Sequence, residues 1–433
     1  MIKAFFNILG NRAKSEVVDF LAGYVPAIQE RKCNKLTSYG SSMSDAETAD
    51  LEDRVAAVPT DLDSRIKLLG KYISEQYHGG PAKQLRLKHI EWIIVNRPEH
   101  VIAGEPHTSV YKLINETEYS KFKSLWLNQV EKKNGNSAVL VNAAHFFFLD
   151  EKEVAERFLL AALELNSYDR SVREQLALLY SLWDGHEEQA LAHYATLCTG
   201  RDSEALFSDL SSVPAIAFEA GQLDRARESS DKVLGLSKKY RKSRFYGEAV
   251  NNAHTTLGRL ALITGDVEKA KHHLAMSIVD IASATMCSFG PKLDLASELV
   301  KAGENASVLE YLDKHELLCG VCHPRAFKVR YRAINGIQDD SALLEHDDNF
   351  DDAYLEHQFH SLETREPAQR RKHLQAAIES ARSTIKAWSA RDPEQSSPDK
   401  IDELRLKRDL KIKRYEHLLR RLEALQVADN IKN

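Results

Sequence analysis

The feature that most constrains this chain is a short helical phrase that occurs five times. In TTLGRLALITGDVEKAKHHLAMSI, residues 255–278, the close pair Leu257-Gly258 and the core position Ala261 come before Gly265-Asp266, and Ala270, Leu274 and Ser277 follow. Apolar and small residues at three- and four-residue steps on both sides of a glycine predict two helices folded back on each other. The glycine ends the first helix and the aspartate caps the second. Small residues at 258 and 270 let the pair approach closely. The same phase recurs at Ala143, Phe147 and Ala155, at Tyr180, Gly185 and Ala190, at Gly221, Ala226 and Val233, and at Leu295, Leu299, Gly303 and Val308. Counted between second-helix anchors (155, 190, 226, 270, 308) the steps are 35, 36, 44 and 38. One hairpin of this size cannot bury its own apolar stripe, so successive hairpins must stack.

Composition agrees with such an array. At 433 residues the chain exceeds one ordinary core, and glycine (19) and proline (11) are scarce between the helical runs. With 59 basic against 64 acidic residues, the net charge of −5 implies no whole-chain attraction to nucleic acid or to an acidic membrane. No run reaches the roughly 18 apolar residues of a spanning helix. The most apolar stretch, AVLVNAAHFFFL (138–149), is shorter and carries Asn142 and His145. The opening MIKAFFNILGNR returns to charge at Arg12 with no cleavage pattern, so it is read as a first helix. Five cysteines scattered at 33, 198, 287, 319 and 322 fit a reducing, cytoplasmic setting better than a disulfide framework.

These signals divide the chain into five parts. Residues 1–50 read as an N-terminal helix and a flexible serine-rich linker, and 51–116 as a degenerate helical unit ending in an irregular loop from Val101 to Asn115. Residues 117–322 form the repeat array. Residues 323–398 form an irregular helical segment with an acidic loop at EHDDNFDD (345–352), and 399–433 a basic amphipathic helix. The expected fold is all-α: a helix–turn–helix solenoid winding as a right-handed α-α superhelix, with capping helices at both ends.

The segments LGRLALITGDVEKAKHHL, SFGPKLDLASELVKAGENASVLEYL and RLKHIEWIIVNRPEH resemble a group of bacterial tetratricopeptide-repeat proteins of undefined function. The likeness covers roughly residues 60–315, and its repeat length of about 34 lies near the steps above. The resemblance implies a helical-repeat fold and protein binding, and it implies no chemistry. This chain departs from the group by Cys287, where asparagine is expected, and by the segment Cys319 to His323. The lysine and asparagine arrangement with which some relatives clamp a terminal carboxylate is not found here.

Chemistry-bearing motifs are sparse. Cys319-Gly-Val-Cys322-His323 has the spacing of c-type haem attachment, but no export signal precedes it. As a zinc site it has no second Cys-x-x-Cys, and adjacent Cys322 and His323 rarely reach one tetrahedral ion. Helix-end cysteines packed as small hydrophobes are the expectation, with a metal- or thiol-dependent regulator or enzyme using Cys319, Cys322 and His323 as the rival. HEEQA (186–190) has alanine where a zincin needs its second histidine, and DDNFDD lacks the glycine and the glutamate of a calcium loop. The chain is therefore read as a non-enzyme with no metal, no cofactor and no small-molecule substrate. Its partner would be a peptide or helix of another protein.

In such an array the first helix of each pair lines the inner face. The face residues by phase are His145, Phe148, Glu174, Phe218, Asn252, Thr255, Arg259 and Leu262. The last helix carries Arg405, Lys407, Arg408, Lys411, Lys413, Arg414, Arg420 and Arg421 beside a stripe of Tyr415, Leu418, Leu419, Leu422 and Leu425. A cap over the end of the array is the expected role, ahead of helix docking or contact with RNA. Nucleic acid is the disfavoured partner.

Overall fold

A computed structural model of the chain describes residues 29–75, 81–112, 115–133, 135–199, 203–278, 290–319, 324–336, 347–364, scattered positions between 370 and 389, and 401–431. Among these the regular structure is helical and no strand occurs, so the fold is all-α. Two compact units divide between Leu179 and Tyr180.

The first unit opens with α1 (29–41) and α2 (Asp45–Ala57), followed by α3 (Leu62–Glu75) and α4 (Ala82–Asn96). The serine-rich stretch expected to be a flexible linker is thus helical. Ser44 and Glu47 form a reciprocal capping box, which converts a run of turn formers into a helix start. Gly40 is a contact point rather than a hinge, because a Cβ there would lie 1.9 Å from the Lys67 carbonyl oxygen of α3. Cys33, Thr37 and Met43 are buried along the same segment. The expected loop after α4 contains two 3₁₀ turns, Val101–Gly104 and Pro106–Thr108, closed by Thr108 Oγ1 donating to the carbonyls of Ile102 and Ala103. Next come α5 (Glu116–Lys132), α6 (Ser137–Phe147) and α7 (Lys152–Leu165), with α8 (Arg170–Ser181) crossing the division. Ala143, Phe147, Ala155, Leu159 and Ala162 are all buried where α6 packs on α7.

The second unit continues with α9 (Glu187–Leu197), α10 (Glu204–Leu210), α11 (Val213–Glu219), α12 (Leu223–Ser237), α13 (Tyr246–Ile263), α14 (Val267–Met276), α15 (Asp294–Lys301) and α16 (Asn305–Cys319). Three of its connections share one backbone pattern. Gly221, Gly265 and Gly303 sit at φ +71°, +78° and +85°. The N–H of each donates three residues back, to Phe218, Leu262 and Val300, and the next residue donates five back, to Ala217, Ala261 and Leu299. That is the Schellman closure, which satisfies the last carbonyls of the first helix and turns the chain through a conformation that favours glycine. Five residues beyond each glycine stand Ala226, Ala270 and Val308, all fully buried. The hairpins α11–α12, α13–α14 and α15–α16 then pack through α11·α13, α12·α13, α13·α15 and α14·α16 contacts.

Gly258 sets the spacing of this stack. A Cβ at that position would fall 2.3 Å from Leu295 Cδ2 of α15 and 3.2 Å from His273 Cβ of α14. Leu295, Leu299, Leu274 and Leu312 fill the core beside it. Further on come α17 (Pro324–Asn335), α18 (Asp347–Glu363) and α19 (Ile401–Ile431). Helix α18 begins inside the stretch expected to be an acidic loop, so residues 347–352 are helical.

Two outcomes follow for stability. Gly258→Ala costs about 1–3 kcal/mol by overpacking. Leu295→Ala alone costs about 2–5 kcal/mol, and the double variant loses less than the two costs added together. Urea denaturation of the four proteins checks this; strict additivity would show that the crossing is not tight. Gly265→Ala, placed at φ +78°, loses about 1–2 kcal/mol in the same assay.

Candidate functional site

Five of the eight expected face residues lie in the second unit, and one of them, Arg259, joins three helices. From α13 its Nε donates to Glu298 Oε1 of α15 at 2.8 Å, while its Nη1 donates to Glu219 Oε1 of α11. The guanidinium also covers the Phe218 ring at 4.1 Å. One side chain thus ties together three first helices. Burial opposes its charge, but the hydrogen bonds and charges of Glu219 and Glu298 outweigh that and raise its pKa. Arg259 is 16 % exposed, against 54 % for Glu219 and 34 % for Glu298, so the two carboxylates are what solvent meets. Leu262 is half-buried against the core cluster below.

Asn252 and Thr255 do not belong to that surface. Both are buried, and Asn252 Nδ2 donates to the Ser211 carbonyl at 3.0 Å. Ser211 directly follows α10, a short helix for which the repeat phase gave no place. That helix starts at Ser203, whose hydroxyl accepts from the Leu206 N–H, and it packs on α13.

The other three residues lie in the first unit. His145 is a packing residue: its Nδ1 lies 3.1 Å from the Gly104 carbonyl, and burial pushes its pKa down. Together with Asn142, whose Nδ2 donates to the carbonyls of Pro98 and His100, it pins the first 3₁₀ turn to α6. Phe148 is half-buried after α6. Glu174 is exposed and pairs with Arg170 one turn back.

A second polar group in the first unit looks catalytic in composition and is structural in connectivity. His89 is fully buried, with Nδ1 accepting from Arg65 Nη1 at 3.1 Å and Nε2–H donating to Glu52 at 2.8 Å. The Tyr72 hydroxyl donates to the same Glu52 oxygen, and Arg65 binds the Pro59 carbonyl and covers Trp92 at 4.0 Å. Each of the two imidazole nitrogens has a partner. Burial alone would raise the Glu52 pKa, but the bonds from His89 and Tyr72 win and lower it.

Cys319 ends α16 disulfide-bonded, not as the packed thiol expected, with Sγ 3.6 Å from His315 Nε2. Cys322 and His323 lie outside the described residues. Among the described residues no three His, Cys, Asp or Glu side chains group so as to hold a metal ion. No helix there is long and apolar enough to cross a membrane. The stripe of α19 is occupied by its own chain: Leu418 and Leu422 are buried against Leu355, Phe359, Leu362, Leu374 and Ile378. Ion pairs tie it to its neighbours as well, since Arg421 pairs with Glu356 and Asp429 with Arg370. A groove of about 350 Å³ between α18 and α19 is lined by Lys413, Arg414, His417 and Glu356.

No protein-family model matches the sequence, and no curated protein matches it. Phase arithmetic found Arg259 and Phe218 but missed Glu219 and Glu298, although opposite charges on neighbouring first helices were a readable signal.

Two measurements test these assignments. Because the Glu52 pKa is lowered in the fold, its contribution to stability is present above its ordinary value of about 4.5 and is lost as pH falls through that range. Glu52→Gln should cost about 1–3 kcal/mol at pH 7 and flatten the acid limb of the stability profile. Arg259→Met, which keeps the stem over Phe218, should cost about 1–2 kcal/mol, discounted for the exposure of both carboxylates. An unchanged urea midpoint would remove Arg259 as the tie between helices.

Proposed function

We propose that the second unit is a tandem helical-repeat array of the tetratricopeptide type and that the protein is a non-catalytic scaffold. In this reading the inner, concave face, lined by the first helices α11, α13 and α15, takes a peptide or helix of another protein. The observation that carries the reading is the Arg259 bridge. It draws three consecutive first helices into one ridge, on which Phe218, Glu219, Leu262 and Glu298 are partly accessible side by side. Three hairpins with one turn geometry and near-periodic spacing support it, as does the resemblance to bacterial repeat proteins. A surface of this kind binds by burying part of a partner segment, with scattered polar contacts giving selectivity. Its charge favours a segment bearing lysine or arginine, because one guanidinium faces two carboxylates. A cytoplasmic setting belongs to the same proposal.

The rival reading, a thiol- or metal-based regulator at Cys319, Cys322 and His323, predicts stoichiometric metal or loss of function in Cys322→Ser. A photo-crosslinking residue at Ala215 or Leu262 tests the scaffold reading against one at Leu317, on a second helix. Crosslinks from the first two sites should map to one segment of one polypeptide, and that segment made as a synthetic peptide should compete and should bind Phe218→Ala at least tenfold more weakly. Equal capture from Leu317, or no competition, contradicts the proposal.

A further inference from the structure

The α13–α14 hairpin contains a contact that neither its packing role nor the proposed binding face uses. His254 Nδ1 of α13 and His273 Nδ1 of α14 lie 3.0 Å apart, with ring centroids at 5.3 Å. Two imidazoles in this arrangement share one proton: one Nδ1–H donates and the other nitrogen must keep its lone pair. The ring of His272 stands 5.7 Å from that of His273. The charged groups facing the pair are Arg227 and Asp231 on α12 and Lys269 on α14, two cations against one carboxylate. Protonating both rings would put two N–H groups nose to nose beside a surplus of positive charge.

The helices that carry the two rings are already in close contact. His254 lies one turn before Gly258, the position where α13 comes so near α14 and α15 that the His273 Cβ and the Leu295 methyls leave no space for a methyl group. The contact is relieved by parting α13 from α14. We propose that the His254–His273 pair is an acid-sensitive latch, holding the α13–α14 hairpin closed while one nitrogen is unprotonated and releasing it when both rings take a proton.

Burial, then the neighbouring His273 and His272, push His254 from an ordinary value near 6.5 down to about 4, and burial with His272 and Lys269 lowers His273. The sign follows from linkage. A base whose pKa is depressed in the closed form destabilises that form as pH falls below the open-form value, and the effect saturates below the closed-form value. With those limits, His254 alone raises the opening constant about 30-fold between pH 8 and pH 5.

Hydrogen exchange of the full chain, corrected for intrinsic rates, reads this directly. Amides of residues 250–274 should lose protection by about that factor between pH 8 and 5, amides of α4 should not, and His254→Gln with His273→Gln should abolish the change. Equal pH dependence in wild type and double variant overturns the latch. If the double variant does not fold, imidazole NMR of the wild-type chain decides: His254 titrating near 4 supports it, and His254 titrating near 6.5 overturns it.

Discussion

The second unit depends on a backbone constraint before it depends on any side chain. Each first helix has to end with its final carbonyls satisfied and the chain reversed within a few residues, and a left-handed glycine does both. Gly221, Gly265 and Gly303 do so with the same pair of hydrogen bonds. Once the reversal is fixed, the buried anchors Ala226, Ala270 and Val308 fall opposite the first helix, and the stack can close to the distance that Gly258 permits. The ridge around Arg259 is a consequence: only helices held this close bring Glu219 and Glu298 within reach of one guanidinium.

Ionisable groups in the protein meet burial in three ways, and the differences separate structure from potential function. Arg259 is balanced by two carboxylates, and it keeps its charge by tying helices together. The Arg65–His89–Glu52–Tyr72 group is closed internally, with both imidazole nitrogens used, so it specifies the packing of α2, α3 and α4. The His254–His273 pair faces more positive than negative charge, and burial together with the neighbouring imidazoles lowers the pKa of both rings.

Much of this was legible in the sequence. The all-α class and the three glycine turns followed from period and punctuation, because a helix stop needs specific residues at a specific place. The sequence was less informative where one residue type serves two purposes. Gly40 and the serines after it read as a flexible linker, yet the glycine lets α1 lie against α3 and Ser44 starts α2. The acids from Asp347 onward read as a loop and instead open α18. At the candidate site, helical phase placed Phe218 and Arg259 on one face. It also placed Asn252 and Thr255 there, because a one-dimensional pattern carries no trace of a contact such as that of Asn252 with the Ser211 carbonyl just after α10. His145 was misassigned for the same kind of reason, its ring being held by a 3₁₀ turn some forty residues earlier in the chain.

The most direct measurement of the central claim is a crystal structure of the full chain. Gly221, Gly265 and Gly303 should stand in the left-handed region with identical closing bonds, and Arg259 should lie over Phe218 between Glu219 and Glu298. A structure in which any of these turns is straightened into a continuous helix, or in which the Arg259 guanidinium points into solvent away from both carboxylates, would contradict it.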